Sequence, residues 1–161
     1  MSRYAKARGF TLIELMVTVA IIAILASIAV PFAELSVRRT KEQELRGALR
    51  QIRSALDDYK KAGDEGRIAK PAESSGYPPS LEVLVEGVEN AQDPDSKAKI
   101  YFMRRLPRDP FHTDGEIPAA ATWGKRSYES PPEDPRPGKD VFDVYSLSDE
   151  KGISGVPYTQ W

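Results

Sequence analysis

The sequence predicts an α+β protein. A long amino-terminal helix, membrane-spanning in its first half and amphipathic in its second, packs on a small head with an antiparallel β-sheet. Three observations carry this. Leu15 to Val30 reads LMVTVAIIAILASIAV, without charge or glycine. Leu45, Ala48, Leu49, Ile52, Ala55, Leu56 and Tyr59 then recur at three- and four-residue spacings, which is the apolar stripe of one helix. Further on, TWGKRSYES and DVFDVYSLS carry the aromatic and β-branched residues of two strands.

The first element is defined by its length. Between Glu14 and Glu34 lie 19 uncharged residues, and the 24 positions from Phe10 to Ala33 are broken only by Glu14. About 20 apolar residues cross the hydrocarbon of a bilayer. A cleaved secretory signal would have a core of only about 7–15 residues, which this block exceeds, although ASIA offers cleavage candidates. A buried core helix would need apolar cover on every side, and the remaining sequence has little to give. A membrane anchor is therefore favoured. Arg3, Lys6 and Arg8 precede the block with no acid among them, so the positive-inside rule keeps this end cytoplasmic. Arg38, Arg39 and Lys41 weaken the asymmetry from the other side, and the rest of the chain is expected outside the cytoplasm. Pro31 falls at the end of the block, where it removes a backbone hydrogen bond. A kink is favoured over a simple end of the spanning segment.

Glu14 is the anomaly. An acidic side chain inside an apolar segment is expensive, less so near the interface. It is either a tolerated interfacial carboxylate or one that awaits a cationic partner. No residue from Leu15 to Ala33 is cationic, so such a partner would come from another chain or a new chain end.

The second half of the helix sets Glu44, Arg46, Arg50, Arg53, Asp57 and Lys60 on a solvated face, with Gly63 as the expected C-cap. A helix from about Phe10 to Ala62 would be roughly 80 Å long at 1.5 Å per residue. Residues 63–80 are rich in glycine, proline and serine and read as a loop. Ser80 is placed to cap a short helix through LEVLVEGV that ends at Gly87. Residues 89–99 read as a second loop, and Ile100 to His112 turns at Pro107 and at Asp109-Pro110. SPPEDPRPGKD is too proline-rich for regular structure, and in the tail KGISGVPYTQW the rings of Tyr158 and Trp161 are expected to pack back on the head.

Composition narrows the chemistry. Lys plus Arg number 23 and Asp plus Glu 24, a net charge of −1, so no nucleic-acid partner is expected. There is no cysteine, hence no disulfide, thiolate metal site or cysteine nucleophile. The single histidine, His112, excludes a multi-histidine zinc site and gives a Ser-His-Asp triad no independent support. Asp140, Asp143, Asp149 and Glu150 are numerous enough to suggest an anchored periplasmic hydrolase. Carboxylate catalysis needs two groups at a fixed separation across a cleft, and solvated loop charge is the favoured reading.

The segment KARGFTLIELMVTVAIIAILASIAVP resembles the type IV prepilin signature: a glycine, an aromatic residue, Thr-Leu-Ile-Glu and a long apolar helix. The resemblance implies that a prepilin peptidase removes residues 1–9 as a leader by cutting between Gly9 and Phe10, and that the new amine on Phe10 is then methylated. It further implies that Glu14 of one subunit neutralises that amine on a neighbour, and that Pro31 marks a bend. The implied parts are residues 1–9, a spanning half at 10–33, an amphipathic half at 34–62 and a periplasmic head at 63–161.

Beyond the amino terminus, YPPSLEVLVEG, YFMRRLPRDPF and DVFDVYSLSDEKG resemble the major pseudopilins of type II secretion systems. That resemblance implies a non-enzymatic subunit of the bacterial inner membrane that polymerises with copies of itself into a periplasmic pseudopilus. Other pseudopilins and an inner-membrane platform would be its partners, and a cytoplasmic ATPase its source of energy. The missing cysteine pair sets the chain apart from many type IV pilins, which remain the nearest rival, with roles in adhesion, motility or DNA uptake. The resemblance also implies calcium near the carboxyl end. Calcium takes six to eight oxygen ligands. Here the Leu147 carbonyl, Asp149 and Glu150 are on offer and no acid follows Glu150, so a solvated turn is favoured and Asp149 is the remaining ligand candidate.

Overall fold

The computed structural model describes residues 9–71, 74–93, 95 and 98–161. Helix α1 runs from Leu12 to Asp64, and Pro31 lies inside it. The helix therefore does not end at the proline, although Pro31 has no N–H to offer the Ser27 carbonyl one turn back. The polar side chains within the apolar run bond to their own helix. Thr18 Oγ1 donates to the Leu15 carbonyl (2.9 Å) and Ser27 Oγ to that of Ile24 (2.7 Å). Hydroxyls satisfied in this way leave a hydrocarbon surface.

The chain divides into two compact units, with the boundary between Arg39 and Thr40. In the described residues of the first unit the large apolar side chains are exposed on every side of the helix, from Leu12 (79 %) to Phe32 (72 %).

The second unit, from Thr40 onward, has one core. The expected stripe of Leu45, Ala48, Leu49, Ile52, Ala55 and Leu56 is buried, and it meets Leu81, Leu84, Trp123, Val144 and Tyr158. The closing turn of α1 departs from expectation. Gly63 remains inside the helix, and the left-handed residue that stops it is Gly66, at φ +68°. The Arg67 N–H bonds to the Ala62 carbonyl (2.8 Å) and the Gly66 N–H to that of Gly63 (3.1 Å). The helix thus runs two residues beyond Ala62, and Lys60 and Lys70 each lie 2.8 Å from the carboxylate of its last residue, Asp64.

The short helix α2 covers only Val83–Glu86 and ends as expected at Gly87, whose φ is +75°. Ser80 is not its cap. Glu82 holds that position without a side-chain cap bond. The Glu82 carboxylate accepts bonds from its own backbone N–H and from Ser80, which together hold its pKa below the ordinary range.

Two antiparallel pairs complete the head. β3 (Trp123–Arg126) pairs with β4 (Asp143–Ser146) in the register Trp123↔Ser146 to Arg126↔Asp143, within the two predicted stretches. Gly124 lies opposite Tyr145, and a Cβ there would enter the tyrosine ring. β1 (Val88–Glu89) and β2 (Lys99–Ile100) form a second pair at the rims of the predicted loop 89–99. Strands of two residues carry no alternation, so no periodicity in the sequence announces them. The turn at Asp109-Pro110 is buried: Asp109 accepts the Phe111 N–H (2.8 Å) and the Ser146 hydroxyl, while its own N–H donates to Thr122.

Candidate assembly site at the start of the long helix

Gly9, Phe10 and Thr11 lead into α1, whose first turn contains Glu14. Thr-x-x-Glu is a capping box, and the bonds are reciprocal. The Glu14 carboxylate accepts the Thr11 N–H and the Thr11 hydroxyl, both at 2.8 Å, and Thr11 Oγ1 accepts the Glu14 N–H at 3.3 Å. A negative group here also meets the positive end of the helix dipole. Local chemistry thus fixes the orientation of Glu14. Phe10 is 81 % exposed, and a Cβ added to Gly9 would touch nothing within 4 Å. Among the described residues nothing crowds a side chain at position 9. The cations Arg3, Lys6 and Arg8 and the rest of the expected leader before Gly9 lie outside the described residues.

Asp140 and Asp143 are held by separate sets of partners. Asp143 is fixed by Arg53, whose Nε donates to it at 2.8 Å, and by Arg126 at 3.5 Å. Asp140 accepts the Ser75 hydroxyl and the Tyr128 N–H. For both, the expectation of solvated loop charge is corrected: each ties one segment of the head to another. Arg53 likewise leaves the predicted solvated face. Its Nη2 donates to the backbone oxygens of Val144 (3.1 Å) and Trp161 (2.6 Å).

Asp149 and Glu150 are exposed, as is Leu147. Among the described residues no group of three or more His, Asp or Glu side chains converges on a metal position. The segment after Asp149 is instead arranged around Glu42, a residue the sequence reading passed over. Glu42 is 7 % exposed, and its Oε1 accepts the Ile153 N–H (2.6 Å) and the Tyr158 hydroxyl (3.0 Å). A signal was available, because Glu42 precedes Leu45 by three and so stands in register with the buried stripe. As expected, the tail packs back. Tyr158 is fully buried, stacked on Phe111 at 4.1 Å between ring centroids, with Trp161 edge-on at 5.0 Å.

Residues 4–30 match the prokaryotic N-terminal methylation motif. The chain is 32 % identical to the type II secretion system core protein G of Pectobacterium carotovorum over 96 % of its own length and 81 % of that protein's. The core protein G of Pseudomonas aeruginosa is 34 % identical over 86 % of this chain and 81 % of its own. That of Klebsiella pneumoniae is 29 % identical over 94 % and 89 %. No solved structure matches the chain.

Proposed function

The chain belongs to the type II secretion system core protein G family, and from that premise we propose that it is a filament-forming subunit whose incorporation depends on Glu14. The apolar start of α1 anchors it in the inner membrane with the basic end cytoplasmic and the head periplasmic. Prepilin peptidase cuts after Gly9, and the amine freed on Phe10 is methylated. The match of residues 4–30 to the prokaryotic N-terminal methylation motif supports this, as does the exposure of Phe10.

The observation that carries the reading is a carboxylate presented by its own capping box at the start of a helix that exposes hydrocarbon on all sides. An α-amino group with an ordinary pKa of about 7.7–8.0 is largely charged at neutral pH. The attraction between opposite charges grows as the surrounding dielectric falls. A neighbour's amine that reaches Glu14 in the correct register offsets the burial of both charges, and a wrong register leaves one buried and unpaired. The subunit carries out no reaction of its own. It lengthens a pseudopilus, with other pseudopilins and the inner-membrane platform as partners, and so moves protein toward the outer membrane. Asp140 and Asp143, committed to holding the head, support a structural role.

Glu14→Ala should insert into membrane normally and lose most of its incorporation, read by site-specific crosslinking between neighbouring subunits in cells. Mass spectrometry of the mature chain should place its first residue at Phe10. Normal crosslinking of the variant, or a mature end near Ala29 or Ala33, overturns the proposal.

A further inference from the structure

The resemblance implies calcium at the carboxyl end, and the donor set found there is of the opposite kind. Calcium gathers oxygen acceptors, six to eight of them. The loop from Glu150 to Trp161 gathers donors, the Ile153 N–H and the Tyr158 O–H, on the buried Glu42 carboxylate. Several of its carbonyls are engaged by its own N–H groups: Glu150 O by Tyr158 N (3.1 Å), Val156 O by Gly152 N (2.8 Å) and Gly152 O by Gly155 N (2.8 Å). Lys151, which follows Asp149 and Glu150 in the sequence, pairs with Pro157 in an antiparallel bridge. Gly152 is shaped to this arrangement. A Cβ there would lie 2.6 Å from the Trp161 indole and 3.2 Å from Glu42 Oε1, so only glycine allows the carboxylate and the ring to close on the loop together.

We propose that the Glu42 carboxylate locks the carboxy-terminal loop onto α1 in the place of the calcium ion that the resemblance implies, and that the head folds independently of calcium. The inference goes beyond the filament reading and is tested on the unassembled subunit, so either can fail alone. Negative charge on the helix does here what positive charge would do in a calcium loop. It joins two chain segments distant in sequence, by accepting hydrogen bonds where the ion would accept lone pairs.

The test uses the full chain in detergent, with calcium at about 5 mM, above the affinity range of weak extracellular sites, or with a chelator. Thermal unfolding is followed by tryptophan fluorescence, and loop opening by the rate of tryptic cleavage after Lys151. The wild type should unfold within about 1 °C of the same temperature in both media and be cut at the same rate. Glu42→Gln should be cut at least about fivefold faster at Lys151 whether or not calcium is present, and Tyr158→Phe should move in the same direction. Asp149→Asn should change neither quantity. Glu42→Ala should be cut faster still, and if it does not fold the glutamine and phenylalanine variants decide the matter. Calcium that raises the wild-type unfolding temperature by several degrees, slows its cleavage or rescues Glu42→Gln overturns the proposal, as does an unchanged cleavage rate in Glu42→Gln.

Discussion

The two stretches of α1 are written in the same helical code and meet opposite fates. Among the described residues from Leu12 to Phe32 the large apolar side chains stand exposed around the helix, whereas from Leu45 to Leu56 they form a single stripe with almost no exposed area. The difference lies in pattern rather than in hydrophobicity alone. An all-round apolar helix needs cover on every side, which lipid or other copies can supply. A striped helix needs cover on one side only, and Leu81, Leu84, Trp123, Val144 and Tyr158 supply it from the same chain. Charge follows the same division. Among the described residues Glu14 is bonded within its own first turn, while Glu42 and Arg53 bond to residues about a hundred positions away.

The sharpest way to break this comparison is to delete the same side chain from each stretch. Ile52→Ala should lower the stability of the head by about 2–5 kcal/mol, the usual range for emptying a packed site, read by urea unfolding of the detergent-solubilised chain. Ile22→Ala should leave that transition unchanged, because Ile22 is exposed. Equal losses would abolish the distinction between the stretches.

A smaller effect is expected from Arg53→Ala. It removes the bonds to Asp143, Val144 and Trp161, although Arg126 remains near Asp143. A loss of about 2 kcal/mol follows from hydrogen bonds to a charged group that is partly solvated, again measured by urea unfolding. Arg50→Ala, on the exposed side of the same helix, should fall within about 0.5 kcal/mol of the wild type.

The smallest effect concerns pH at the end of α1. Hydrogen bonds from Lys60 and then Lys70 lower the Asp64 pKa from 3.8 to about 2. A depressed carboxylate pKa means that the folded chain holds the proton less tightly than the unfolded one. The contribution is therefore complete above about pH 4 and is lost as the pH falls toward 2. Asp64→Asn should flatten that part of the stability profile while leaving stability at neutral pH only slightly lower, checked by thermal unfolding across the acid range.

Much of this was legible in the residues. The length of the block before Glu34, the stripe from Leu45 to Tyr59 and the two aromatic β-branched stretches are periodic or contiguous signals that survive without knowledge of neighbours. The Thr11–Glu14 capping box is equally local, because its partners are three residues apart. The stop of the helix is not legible in the same way, since the sequence offers Gly63 and Gly66 equally. The structure places the left-handed residue at Gly66, with the Arg67 N–H closing on the Ala62 carbonyl.

The sequence by itself determined that one stretch must find cover outside the chain and that a second stretch would find it within, because burial demand is fixed by composition and spacing along a helix. Only the tertiary structure decided which charges serve the fold. Whether Asp143 faces water or Arg53, and whether Glu42 meets solvent or an N–H from Ile153, depends on segments separated by 90 and 111 positions. Electrostatic energy depends on distance in space and on local exclusion of water, and neither is encoded at the position of the charge itself.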